Sequence, residues 1–83
     1  RQQKYKVMAA TKEEVDAWIK TAIENGDRYL ISVCDTFDYD DYPVYVPHGK
    51  NLSVERAKYD RVNMQKINEI FEFKKNGEYK RIE

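Results

Sequence analysis

The segment Tyr29–Cys34 (YLISVC) constrains the fold more than any other part of the chain. It carries no charge, it is rich in residues that favour extended backbone, and it follows directly on a helix stop. A short run of this kind reads as a strand buried on both faces. The rest of the chain must therefore supply enough apolar surface to cover it.

The clearest source of cover precedes it. Thr11 can cap a helix, and Glu14 three residues later completes a capping box. Val15, Trp18, Ile19, Ala22 and Ile23 then recur at steps of three and four, which places them on one helical face. Asn25-Gly26 ends the helix, because Gly26 is free to adopt the left-handed conformation. Ahead of this helix, Tyr5, Val7 and Ala9 alternate with Lys4, Lys6 and Met8, the period of a first strand over 4–10.

Beyond the central run, Asp35–Tyr42 is polar and aromatic and reads as a loop. Pro43–Pro47 is a short strand bounded by prolines. Proline has no N–H for a ladder, so an edge position is expected. Within it, Tyr45 is expected to point away from the face used by Val44 and Val46. Residues 48–51 form a turn. Ser53 is placed to cap a second helix, and the spacing of Met64, Ile67 and Phe71 extends helical periodicity to about residue 67. Asn76-Gly77 favours a two-residue type I′ hairpin turn. Folding about it pairs Lys75 with Glu78, Glu72 with Arg81, and Phe71 with Ile82.

The expected class is α+β, a single small domain over 1–83 in the order β-α-β-β-α-β-β. The first six elements follow a ferredoxin-like split βαβ pattern, which predicts one sheet with the helices on one face. With 83 residues there is room for one core. The apolar fraction of 41% and the seven tyrosines are too high for a disordered chain.

Charge narrows the function classes. The 15 basic and 15 acidic residues cancel, which argues against a protein that coats duplex nucleic acid through a basic excess. They are unevenly spread. Tyr29–Gly49 has no Lys or Arg but holds Asp35, Asp38, Asp40 and Asp41, whereas residues 50–83 carry nine basic and six acidic side chains. Cys34 is the sole cysteine, so no internal disulfide can form, and a reducing cytoplasm is the expected compartment. No apolar run approaches the roughly 18–20 residues needed to span a bilayer, and no secretory-signal pattern opens the chain.

The sequence has few groups suited to catalysis. One His and one Cys do not build a zinc site of the usual kind. Cys34, Asp35 and His48 contain the residue types of a nucleophile set, but Cys34 sits in the most apolar strand, where an inert thiol is expected. Asp38, Asp40 and Asp41 resemble half of a calcium loop. The twelfth position from Asp38 is Gly49 where a Glu is required, so the motif fails. Gly49-Lys50-Asn51 lacks the spacing of a phosphate-binding loop. No cofactor is expected.

Three readings follow. In the first, the chain is a non-enzymatic binding protein that uses Phe37, Asp38, Tyr39, Asp40, Asp41 and Tyr42, since tyrosine among carboxylates suits a basic protein surface. In the second, an oligomer captures a small nucleotide, with aromatic rings stacking on the base and Lys50, Arg56, Lys58 and Arg61 holding phosphates. In the third, Asp38, Asp40 and Asp41 converge with Glu55, Glu69 or Glu72 as a carboxylate-based metal enzyme.

The strings CDTFDYDDYPVYV (34–46) and NMQKINEIFEF (63–73) resemble segments of small bacteriophage proteins of uncharacterised function and similar length. The resemblance implies a cytoplasmic protein acting by binding to a host enzyme, a defence component or its signal. It implies no activity for individual residues.

Overall fold

The structure, a computed structural model, describes residues 10–83. Its elements run α1 (Lys12–Asn25), β1 (Asp27–Asp35), β2 (Asp40–Pro47), α2 (Leu52–Ala57), β3 (Gln65–Phe73) and β4 (Tyr79–Arg81). The four strands form one antiparallel sheet in the order β2-β1-β3-β4. The class is α+β, as expected. The first strand expected over 4–10 lies, Ala10 apart, outside the described residues, and the ferredoxin-like arrangement depends on it.

Helix α1 is built as its sequence dictates. The Thr11 hydroxyl accepts from the Glu14 N–H at 3.1 Å, and the Thr11 N–H donates to the Glu14 carboxylate at 2.9 Å. Gly26 ends the helix at φ 73° and returns its N–H to the Ala22 and Ile23 carbonyls. Ile19 and Ala22 are buried, and Val15 and Trp18 pack beside them against Leu30, Phe71 and Phe73.

Strand β1 is the centre of the sheet, and Leu30, Ile31 and Val33 are fully buried. Its two faces lead to two cores. Leu30 faces α1, together with Tyr45, Phe71 and Phe73. Ile31 and Val33 point the other way, into Val46 and Ile70, with Tyr42, Val44, Leu52, Tyr59 and Ile67 around them. Tyr45 therefore does lie opposite Val44 and Val46. The expectation of both helices on one face is corrected: α1 covers one side of the sheet, and Leu52 of α2 with the following Tyr59 covers the other. A strand buried on both faces needs two covers, and a chain this short supplies them with one element each.

Three further boundaries differ from expectation. The segment 65–67, read as helical, opens strand β3. Ser32 pairs with Glu69 and Val33 with Ile67, which leaves Asn68 unopposed in a bulge. The extra residue lets Ile67 and Ile70, three apart, share one face of a strand. That spacing mimics a helix. The second helix is capped not by Ser53 but by Asn51, whose side chain accepts from the Val54 N–H at 3.2 Å.

The last hairpin is shifted by one residue. Phe71 pairs with Arg81, Glu72 with Lys80 and Phe73 with Tyr79. The Gly77 N–H bonds the Lys74 carbonyl at 3.0 Å, and the Lys74 N–H bonds the Glu78 carbonyl at 2.8 Å. This is a three-residue loop with Gly77 left-handed at φ 91°, the turn-plus-bulge alternative to a type I′ turn.

Ile70 is 1% exposed and Ile82 is 42% exposed. Ile70→Ala should cost about 2–5 kcal/mol, while Ile82→Ala should cost well under about 1 kcal/mol. Urea unfolding of the two variants checks the difference.

Candidate functional site

The acidic aromatic segment is divided by the fold. Asp35 closes β1 and Asp40 opens β2, so the loop is only residues 36–39. Asp35 Oδ1 accepts the Phe37 N–H at 2.8 Å, and Asp38 Oδ1 accepts the Asp40 N–H at 3.1 Å. These short-range bonds, with Tyr39 N–H to Asp35 carbonyl at 2.7 Å, tie the tip into a defined shape. Phe37 is 75% exposed and Tyr39 52% exposed. Tyr39 holds φ 60°, a left-handed conformation that an aromatic residue adopts only at a cost.

Asp40, Asp41 and Tyr42 belong to β2 and are half-buried. The expectation that they lie in the loop is corrected. The alternation of the strand turns them into ladder positions opposite Asp35, Cys34 and Val33. Asp41 Oδ2 accepts the Ala10 N–H at 2.6 Å, and the Tyr42 hydroxyl donates to the Gln65 side chain. Asp41 and Tyr42 thus face the protein itself. The exposed part of the predicted surface is Phe37, Asp38 and Tyr39, with Asp40 at its margin.

A second loop adjoins this tip, which the sequence did not suggest. The Thr36 N–H and hydroxyl both donate to the Met64 carbonyl, at 2.7 and 2.8 Å. Val62 is 40% exposed and Met64 57% exposed. Arg61, Asn63 and Met64 all have positive φ. The end of the sheet therefore combines Phe37, Tyr39, Val62 and Met64 as exposed apolar groups, with the carboxylates of Asp35, Asp38 and Asp40 among them.

The remaining candidates are dispersed. Cys34 pairs with Asp41, whereas His48 follows the Pro47 that pairs with Asp27. They stand at opposite ends of the β1–β2 ladder, roughly 20 Å apart at the usual strand rise. Burial pushes the Cys34 thiol up, and the neighbouring Asp41 carboxylate raises it further, so it is held as the un-ionised form at neutral pH. Among the described residues, no three His, Cys, Asp or Glu side chains come together as a metal site. Glu55 pairs with Lys58, Glu72 with Arg28 and Glu69 with Arg81.

Two of the four cations proposed for phosphate are engaged in ion pairs. Arg56 is bound to Asp60 at 2.9 Å and to Glu83, and Lys58 to Glu55 at 3.1 Å. Lys50 and Arg61 are exposed on separate turns. A cleft lies at the end of the sheet away from Phe37. It has a volume of about 490 Å³ and includes Arg28, His48, Lys75, Tyr79 and Lys80 in its wall. These residues come from three distant stretches of sequence, and no local spacing announces them. Among the described residues no helix is long and apolar enough to cross a membrane.

Two measurements follow from these environments. Iodoacetamide should alkylate Cys34 slowly in the native protein and rapidly in urea, with mass spectrometry as the readout. The Arg28 guanidinium, 2.8 Å away, holds the Glu72 carboxyl below its ordinary value. A carboxyl depressed in the folded state contributes stability above its unfolded pKa, and that stability is lost as pH falls through the folded value. Glu72→Gln should therefore flatten the fall of melting temperature on acidification. Comparison of the chain with protein-family models, curated proteins and solved structures gave no match.

Proposed function

We propose that the protein is a non-enzymatic binding module that docks a basic protein surface through the tip of its β1–β2 hairpin. The observation that carries this reading is the exposure of Phe37 and Tyr39 beside Asp38, in a stretch of 21 residues without Lys or Arg. Single exposed apolar side chains are common, but a group of them such as Phe37, Tyr39, Val62 and Met64 at one end of the sheet favours a contact surface. Aromatic rings give such a contact its area, and the surrounding carboxylates select a partner with a positive rim.

The backbone supports the same reading. Gly or Asn would fit the left-handed position of Tyr39 without strain. An aromatic residue there trades local stability for a ring at the apex. The resemblance to small bacteriophage proteins suggests a host or defence protein as the partner, inhibited or modulated by occupation of its basic surface in the cytoplasm.

Affinity capture from host extract tests the proposal. The double variant Phe37→Ser/Tyr39→Ser and the charge reversal Asp38→Lys should each lose the captured partner while keeping the wild-type circular dichroism. Capture unchanged by both variants would remove the tip from the interface. Tyr39→Gly separates stability from binding. It should gain up to about 1 kcal/mol in urea unfolding through relief of the left-handed strain, yet bind more weakly.

A further inference from the structure

The two ends of the sheet carry groups of opposite sign. At the Asp27 end, Arg28, Lys50, Lys74, Lys75 and Lys80 lie on or next to the strand ends and turns. The carboxylates there are already engaged. Glu72 pairs with Arg28 at 2.8 Å and Glu78 with Lys74 at 3.7 Å, and the buried Asp27 accepts from the Asn25 amide at 3.4 Å. Lys50, Lys75 and Lys80 form no ion pair among the described residues. At the other end, Asp35 and Asp38 each accept a backbone N–H of their own loop and form no ion pair among the described residues. The hairpin tip, residues 35–40, holds three carboxylates and no cation. Arg61 and Lys66 come from the neighbouring loop and β3. Ammonium groups without a counter-charge thus collect at one end of the sheet, and carboxylates without one at the other.

The cationic end also has room for an apolar side chain. On the α1 side of the sheet, a hollow of about 330 Å³ lies between the last turn of the helix and the β3–β4 loop, with Ile23, His48, Phe73, Lys74 and Lys75 in its wall. Phe73 is buried, whereas Ile23 is 39% exposed. Ile23 is the part of the apolar face of α1 that the core leaves uncovered. Lys75 is exposed beside it on the loop. An open apolar wall next to an unpaired ammonium group suits an occupant that offers a large apolar side chain and a carboxylate on neighbouring residues. Phe37 and Asp38 are such a pair.

We infer that the protein associates head to tail with a second copy of itself, Phe37 of one molecule entering the hollow beside Ile23 of the next while Asp38 meets Lys75. The inference rests on the reading of the hairpin tip as a docking element, and it names one basic surface that the tip fits. Because tip and hollow are different patches at opposite ends of β1, each added molecule leaves one of each open, and growth into chains or rings follows. A four-residue loop covers little area, and interfaces below about 1,200 Å² are weak. Association is therefore a high-concentration event, sensitive to salt. A molecule whose tip is covered in this way cannot dock another basic partner, so self-association and partner capture exclude each other.

Sedimentation equilibrium of the intact chain between about 10 μM and about 1 mM tests the inference. The average mass should rise above that of the monomer with concentration, and about 0.5 M salt should return it to the monomer. The tip variant Phe37→Ser/Asp38→Ser lacks the inserted groups, and the hollow variant Lys75→Glu lacks the receiving one. Each alone should stay monomeric. Mixed in equal amounts they should form a 1:1 dimer and nothing larger, since together they supply one intact tip and one intact hollow. Wild-type circular dichroism of both variants separates lost association from lost fold. A wild-type chain that is monomeric throughout, variants that associate alone, or a mixture that stays monomeric while the wild type associates would overturn the inference. Capture from host extract tells its failure from that of the docking reading. The Lys75→Glu chain keeps its tip and should still capture the partner. A monomeric wild type whose tip variant alone loses the partner removes self-association and leaves the docking reading standing; self-association with capture indifferent to the tip does the reverse.

Discussion

The double burial of β1 is the constraint on which the rest of the structure depends. Leu30 and Ile31 are adjacent in sequence, point to opposite sides of the sheet, and are both fully excluded from water. Neither can be covered by the element that covers the other. Helix α1 meets the Leu30 side through Ile19 and Ala22, and Leu52 and Tyr59 meet the Ile31 side. Hydrogen bonding imposes the same demand in the plane of the sheet. A buried strand needs partners for its N–H and C=O groups on both edges, and β2 and β3 provide them. The two faces of β1 are taken up by packing, which leaves the ends and edges of the sheet for recognition.

Those ends differ because the chain reverses at one and collects basic residues at the other. At the Asp35 end, the four-residue loop of the β1–β2 hairpin leaves no space for its aromatic side chains to fold back, and Phe37 and Tyr39 stand out. At the Asp27 end, the start of β1, the end of β2 and the β3–β4 loop meet, which gathers Arg28, His48 and the lysines of residues 74–80. The result is an anionic aromatic tip and a cationic cleft joined by a rigid core.

The parts of this arrangement set by local rules were legible in the sequence. The capping box of α1, its apolar face, the Gly26 stop and the double burial of Tyr29–Cys34 needed only neighbours within a few residues. The failures came where one unpaired residue changed the outcome. Asn68 breaks the period of β3 and makes a strand resemble a helix, and the third loop residue of the last hairpin moves every pair by one. In the candidate site, the sequence marked Phe37 and Tyr39 as surface candidates but did not decide which of the rings are exposed; the short hairpin loop decides it. The inward turn of Asp41 and Tyr42 did not, because it depends on where β2 begins. The cleft was hidden for a different reason: residues 28, 48, 75, 79 and 80 become neighbours only through the sheet order.

The bulge at Asn68 has an effect beyond misleading the eye. Strand β4 covers β3 only from Phe71 to Phe73, with Ile82 and Glu83 bonding back to Ile70. Among the described residues, the outer edge of β3 from Gln65 to Glu69 is therefore uncovered. An uncovered straight edge invites another chain to add a strand to the sheet. Here the bulge at Asn68 lies within the open stretch, between the charged side chains of Lys66 and Glu69, and breaks the regular spacing that a foreign strand would have to match. An irregularity of this kind makes an exposed edge a poorer template for strand addition.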